Sequence, residues 1–210
     1  MKQMELQSLT LGSLMTNCYL AKHKETGELL IVDPASSPQR IRQKIDEMQG
    51  QPVAILLTHG HFDHVGAVPG LKEFYPGLKV YVCQKEASLI KNPDANLSGY
   101  YMPKPLEIAP DVLLQDQETL SLAGFSIQVL LTPGHTPGSC CYYLEDEQVL
   151  FSGDTLFAGS CGRTDFPGGS AAQMQKSLHR LVQLPETTEV FPGHNEFTTI
   201  GEEKRYNPFV

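Results

Sequence analysis

Residues 53–64 read Val53-Ala54-Ile55-Leu56-Leu57-Thr58-His59-Gly60-His61-Phe62-Asp63-His64. The apolar run before Thr58 has the length and the continuous hydrophobicity of a buried strand. The turn after it holds three imidazoles and one carboxylate, groups that bind Zn, Fe or Mn. His59 and His61 are two residues apart, so they point the same way in an extended segment, whereas Asp63 and His64 can face a second site.

The same pattern, an apolar strand that ends in a turn with a histidine or an aspartate, recurs three more times. The turns are Thr132-Pro133-Gly134-His135, Ser152-Gly153-Asp154 and Pro192-Gly193-His194. Strands that are fixed in a core bring the residues just beyond their ends into one rigid layer. Four such turns predict one metal-binding site, in preference to a set of histidines that merely face water.

Seven groups are too many for one tetrahedral zinc ion but suit two divalent metals. The spacing favours one set for the first metal, a second set for the other, and an aspartate between them. The first set is His59, His61 and His135, and the second is Asp63, His64 and His194. Asp154 would bridge the two metals. We expect zinc, with iron or manganese as alternatives. Two dications outweigh two carboxylates and a hydroxide, so the site favours a small, anionic substrate.

These residues together resemble the metallo-β-lactamase superfamily over almost the whole chain. The resemblance implies an α/β fold, a four-layer αββα sandwich in which two mixed β-sheets face each other, helices cover the outer faces and the metals lie at one edge. It also implies a single domain over residues 1–210.

Within the superfamily, two segments resemble the short bacterial members of the glyoxalase II-like branch. They are Gly153–Phe166 and the tail from Gly193 to Phe209. Full-length members of that branch append a C-terminal helical domain that helps to bind glutathione, and we expect this chain to lack it.

The resemblance implies hydrolysis of thioesters such as S-lactoylglutathione by a metal-bound hydroxide. Asp63 and Asp154 would then be catalytic, because they hold the hydroxide by charge and hydrogen bond. The family also implies that Arg163 contacts a substrate carboxylate; a buried Arg163–Asp165 pair that shapes the loop is an equal alternative. Cys161, in the same loop, is expected to be a packed residue, with a substrate-linked thiol as the alternative.

Two other functions stay open at this point. The stretch Cys161–Phe166 also resembles persulfide dioxygenases of the same superfamily, in which a single iron could be held by His59, His135 and Asp154. A non-catalytic metal-binding protein is the third possibility, with less support, because an open site for two metals suits catalysis.

Composition excludes several classes of partner. The chain has 24 acidic and 16 basic residues, a net charge of −8, which disfavours nucleic acids and anionic membranes. The first twelve residues contain no apolar segment typical of a signal peptide. Five cysteines, an odd number without a Cys-x-x-Cys pair, predict a reduced, cytoplasmic protein. The oligomeric state is left open.

Local patterns predict several further elements. Apolar spacing favours helices from Pro38 to about Met48, over Val65–Phe74 and over Ser170–Leu184. A segment rich in Pro, Asn and Gly, Asn92–Pro110, predicts a long loop. The remaining two histidines, His23 and His179, lie outside the strand-end turns and are expected to be solvated.

Overall fold

Two mixed β-sheets form the centre of the protein, whose computed structural model describes residues 2–210. The strands of the first sheet, in chain order and also in spatial order, are β1 (Met4–Leu11), β2 (Thr16–His23), β3 (Glu28–Val32), β4 (Gln51–Leu56), β5 (Lys79–Cys83) and β6 (Val112–Leu114). Strands β1 to β3 pair antiparallel, and β3 to β6 pair parallel.

The second sheet also has six strands. The chain continues through β7 (Thr119–Leu122), β8 (Phe125–Leu131), β9 (Cys140–Leu144), β10 (Val149–Gly153), a small hairpin of β11 (Leu156–Phe157) and β12 (Ser160–Cys161), β13 (Glu189–Pro192) and β14 (Thr198–Thr199). The spatial order is β14-β13-β10-β9-β8-β7. Only β10 and β13 pair parallel, with a register shift between Phe151 and Gly153 just before Asp154.

Within the described residues, six α-helices and one 3₁₀ helix, Gln84–Glu86, accompany the sheets. The α-helices are α1 (Pro38–Glu47), α2 (Phe62–Val65), α3 (Val68–Phe74), α4 (Ser98–Tyr101), α5 (Ala171–Leu181) and α6 (Ile200–Tyr206). The Ser170 hydroxyl caps α5 by accepting the backbone N–H of Gln173, and the Thr199 hydroxyl caps α6 in the same way. No helix within residues 2–210 is long and apolar enough to cross a membrane.

Three separate apolar clusters show how the layers stack. Along β4, Ile55 packs with α1 and α3 on the outer face of the first sheet, whereas its neighbours Ala54 and Leu56 face the second sheet. Along β9, Tyr142 points inward and Tyr143 outward, toward the cluster that contains α5. Because successive strand residues point to opposite faces, both sheets are buried on two sides, and the predicted four-layer αββα sandwich is confirmed.

The structure corrects two local predictions. His23 is buried, not solvated: it is 8% exposed, and its ring packs against Phe125 with centroids 5.1 Å apart. The helix predicted over Val65–Phe74 is two helices, α2 and α3, broken after Gly66, where a Cβ would lie 2.4 Å from the backbone oxygen of Ala35.

Other local predictions hold with small changes. His179 is exposed, as expected. The segment Asn92–Pro110 is mostly irregular and includes only the single turn of α4.

Candidate metal centre

All four strand-end turns meet at one edge of the sandwich, and they bring the seven predicted groups together. The nearest atoms of His61 and His135 are 2.9 Å apart, and those of His64 and His194 are 3.4 Å apart. His61 and His64 follow the first sheet, whereas His135 and His194 follow strands of the second. The cluster therefore spans the junction between the two sheets.

Three sets of side chains have donor atoms close enough to share an ion, within 4.8 Å of one another. They are His59 with His61 and His135, Asp63 with His64 and His194, and His59 with His64 and Asp154. The first two are the sets that the sequence predicts. Asp154 contacts both: Oδ1 is 3.3 Å from Nε2 of His64, and Oδ2 is 3.5 Å from Nε2 of His135. Asp154 therefore lies between the two sets, where a carboxylate could be shared by two ions.

The donor atoms fit a cation. Among the described residues, Nε2 of His59 and Oδ1 of Asp154 are buried without a hydrogen-bond partner. Buried polar atoms are nearly always paired, so two such atoms in one cluster indicate an absent partner. A Cβ at Gly193 would lie 2.3 Å from Oδ1 of Asp154 and 2.6 Å from Cε1 of His64, so glycine leaves the space beside both groups free.

Contacts behind the cluster fix which ring nitrogen faces inward for three of the histidines. Nδ1 of His64 lies 3.0 Å from a carboxylate oxygen of Asp33, and Nδ1 of His135 lies 2.8 Å from the backbone oxygen of Arg163. Nδ1 of His194 contacts the backbone oxygen of Leu14 at 3.2 Å. Such outer contacts orient metal ligands. All three histidines consequently turn Nε2 toward the cluster.

Asp33 is a functional residue that the sequence reasoning missed. Its carboxylate accepts the backbone N–H of Thr58 at 2.8 Å and the Thr58 hydroxyl at 2.6 Å, beside its contact with His64. It thereby holds both ends of the turn that carries the histidines. The signal was present, because Asp33 follows the apolar strand β3 and so repeats the strand-end pattern.

Glu86 is a second residue that sequence reasoning missed. The carboxylate is fully buried and accepts the backbone N–H of Gly60, the hydroxyl of Thr136 and the backbone N–H of Gly138, each at 2.9 Å. Gly60 lies between His59 and His61, and Thr136 follows His135. One side chain therefore joins the turns that carry the first predicted set. No sequence signal distinguishes Glu86 from an exposed acidic residue.

The electrostatics differ between the two sets. Burial and the neighbouring imidazoles lower the pKa of His59 well below its ordinary value, and they lower the pKa of His61 to about 3. Both are neutral at pH 7, as metal ligation requires.

The second set favours positive charge. Burial opposes protonation of His64, but the carboxylates of Asp63, Asp154 and Asp33 outweigh it and raise the pKa. Although burial alone would raise the pKa of Asp63 and of Asp154, the histidines nearby, His64 first, lower both. This position stabilises a cation, whether a proton or a metal ion.

A cavity of about 560 Å³ opens onto the cluster. Its walls are largely apolar and aromatic; they include Leu14, Phe62, Tyr101, Phe157 and Phe166. Phe62 and Tyr101 stack on each other with centroids 5.1 Å apart. The volume is within the range of small-molecule sites.

Arg163 lines this cavity as predicted, but its guanidinium is already paired. Nε and one terminal nitrogen donate to the two carboxylate oxygens of Asp165 at 2.6 and 2.7 Å, and the guanidinium lies 4.1 Å from the Phe166 ring centroid. The predicted Arg163–Asp165 pair is confirmed, but its predicted burial is wrong, because the two side chains are 58% and 66% exposed. Cys161 is half-buried in the same wall, and burial raises the pKa of its thiol.

Comparison with known proteins agrees with this geometry. The probable metallo-hydrolase YqgX of Bacillus subtilis is 37% identical over 99% of this chain and 98% of its own length. Hydroxyacylglutathione hydrolase GloC of Haemophilus influenzae is 35% identical, with 99% and 98% covered.

Solved structures agree as well. The crystal structure of BLEG-1 B3 metallo-β-lactamase has a TM-score of 0.92 and 39% identity, covering 98% of this chain and 99% of that one. TTHA1623 in a di-iron-bound form has a TM-score of 0.84 and 39% identity, covering 97% and 100%. The family model of the metallo-β-lactamase superfamily matches residues 11–194. The chain therefore belongs to the metallo-β-lactamase superfamily.

Proposed function

We propose that this protein is a metal-dependent hydrolase that cleaves thioesters, with S-lactoylglutathione as the first candidate substrate. The observation that carries the proposal is the pair of three-residue sets with Asp154 between them, at the floor of an open cavity. The similarity to GloC, whose name states hydroxyacylglutathione hydrolysis, supports the choice of a thioester.

Seven side chains would hold two divalent ions: the two sets, with Asp154 on both. Such ions lower the pKa of water from 15.7 to about 7 and polarise a carbonyl oxygen. Oδ1 of Asp154 has no hydrogen-bond partner among the described residues, so it can accept a hydrogen bond from the attacking water. Oδ2 of Asp63 accepts the Thr16 hydroxyl at 2.8 Å, which fixes that carboxylate beside His194. These two aspartates are the proposed catalytic residues.

The histidines do not act as general bases in this scheme. His64, His135 and His194 each have one ring nitrogen in a contact behind the cluster and the other within it. Zinc suits the nitrogen-rich donor set, and iron suits it as well. The di-iron form of TTHA1623 supports keeping both metals in the test.

Metal analysis and a thioester panel test the proposal together. The purified protein, assayed without oxygen, should contain two metal ions per chain and hydrolyse thioesters. His135→Ala should lose metal from the first set. One iron per chain with oxygen uptake on a persulfide would instead favour the dioxygenase. Full metal content with neither activity would favour the non-catalytic alternative.

A further inference from the structure

A second cavity adjoins the one above the metal cluster. It measures about 310 Å³ and shares two of its lining residues, Cys161 and Arg163, with the larger cavity. The segment Cys161–Arg163 is therefore a common wall. Of these two cavities, the larger one is lined by predicted ligands and the smaller one is not. The proposed chemistry therefore leaves the smaller one, here called the side cavity, without a role.

The side cavity is lined mainly by apolar groups. Ala171, Met174 and Leu178, on one face of α5, form one side, and Phe209 forms another. Met174 and Leu178 are buried and belong to the apolar cluster beneath the second sheet. Gln175 also lines the cavity, but its amide donates to the backbone oxygen of Phe209 at 3.0 Å, so this amide nitrogen is engaged.

Neither cavity offers an unpaired cation for a charged substrate tail. Apart from the cluster histidines, Arg163 is the only basic side chain among the described residues that line either cavity. Asp165 accepts hydrogen bonds from Nε and one terminal nitrogen of its guanidinium. The hydrogen bond from Arg163 lowers the pKa of Asp165 to about 2, so the partner stays ionised at neutral pH. Beyond the cluster, the one basic side chain that a charged substrate tail could meet in these two cavities is therefore already paired with a carboxylate.

We propose that the side cavity binds an apolar chain of the substrate, which passes the Cys161–Arg163 segment while the thioester lies at the metal cluster. The inference rests on the proposed thioester hydrolysis and adds to it a further class of substrate, thioesters with an alkyl-type chain, beside S-lactoylglutathione. The chain belongs either to the acyl group or to the thiol, since both flank the reacting carbonyl.

Two homologous series test the proposal and distinguish these two origins of the chain. In the first, the acyl chain of one fixed thiol ester grows from acetyl to hexanoyl; in the second, acetyl esters carry thiols from ethanethiol to hexanethiol. Burial of each further methylene should raise kcat/KM about fourfold in the series whose chain enters the side cavity. The KM for S-lactoylglutathione should be higher than the KM for the best member of that series.

Matched variants on α5 locate the effect. Ala171 and Ala172 are both exposed, but Ala171 lines the side cavity, whereas Ala172 lines neither cavity. Ala171→Leu fills part of the side cavity. It should lower the ratio of kcat/KM for the six-carbon member of the responsive series to kcat/KM for its shortest member at least tenfold. Ala172→Leu adds the same side chain at the next helical position and should keep the wild-type ratio.

Binding of an uncleavable probe separates this inference from the proposed function. N-hexylacetamide, for a chain on the thiol side, or N-ethylhexanamide, for a chain on the acyl side, should bind the metal-loaded wild type more tightly than N-ethylacetamide in ligand-observed NMR, and Ala171→Leu should remove that difference. If no thioester is cleaved but the longer probe binds more tightly and Ala171→Leu removes that difference, the hydrolase proposal fails and the apolar site stands. A flat chain-length dependence in both series, or equal ratios in the two leucine variants, overturns the apolar site.

Discussion

Glu86 offers the sharpest test of how this fold positions the metal cluster. The carboxylate accepts two backbone N–H groups, from Gly60 and Gly138, and the Thr136 hydroxyl. Glu86→Ala leaves both N–H groups buried without a partner. The Thr136 hydroxyl, in contrast, keeps its hydrogen bond with the Ser139 hydroxyl, at 2.7 Å. At about 1–3 kcal/mol for each unsatisfied group, the variant should lose about 2–6 kcal/mol of unfolding free energy.

Glu86→Gln is the milder change and keeps the shape of the side chain. Its amide oxygen can still accept the Gly60 N–H, but its NH₂ group would face the Gly138 N–H, so one donor loses its partner. The expected loss is about 1–3 kcal/mol, which a domain of ordinary stability, about 5–15 kcal/mol, can tolerate. Because Glu86 joins the turns of His59, His61 and His135, metal affinity of that set should fall about 10–100-fold.

The assay combines urea unfolding with metal competition against a chelator. Glu203 supplies the control, since it is also buried and accepts Gly159 N–H, the Thr198 hydroxyl and the Asn207 amide, at 2.8, 2.6 and 2.7 Å. Glu203→Gln should reduce stability without a loss of affinity in the first set. The positioning role of Glu86 would be refuted if Glu86→Gln kept the wild-type metal affinity, or if Glu86→Gln and Glu203→Gln lost metal affinity equally.

Three further outcomes are expected. Asp165→Asn should free Arg163 and lower the KM for carboxylate-bearing thioesters, while kcat stays close to wild type; steady-state kinetics on S-lactoylglutathione measures it. The hydrolysis rate should rise with pH through an apparent pKa near 7, and Cys161→Ser, assayed for rate and metal content, should keep that profile. The pKa of Asp116 is lowered: burial opposes ionisation, but the Leu131 N–H and Arg180 outweigh it. Its stabilisation is present above pH 3.8 and is lost as pH falls through the lower folded-state value, so Asp116→Asn should unfold with a weaker acid dependence in urea titrations.

The sequence predicted which seven side chains come together, because they lie in turns that follow apolar strands and a strand end has a fixed place in a sheet. The order of layers needed the family resemblance, since the continuous apolar run before Thr58 does not say which face of the strand meets which neighbour. Residues that hold the cluster from other segments of the chain, by hydrogen bonds to its turns, were harder to predict. Asp33 repeats the strand-end pattern and could have been found, whereas Glu86 lies in a short polar stretch whose burial depends on the opposite sheet.

The errors have a similar origin. His23 lies between two lysines at the end of β2, and Gly124 and Phe125 of the other sheet pack against its ring. The Arg163–Asp165 pair was predicted from two residues two positions apart, a local feature, but its exposure is set by the shape of the cavity mouth. Contacts between neighbours in sequence were thus predictable, and burial by distant segments was not.

Metal chemistry and substrate choice have different structural origins in this protein. The seven groups of the cluster lie on turns at the ends of core strands, and backbone bonds between the sheets hold these turns together, among them the Cys140 N–H to the Thr58 oxygen at 2.9 Å. The cavity walls come instead from loops and from α5, with Arg163 and Phe166 largely free of the core. Changes in those walls can alter which substrate enters without disturbing the cluster. Substrate preference should therefore vary among relatives that share the same cluster, and it has to be established from the wall residues of each chain.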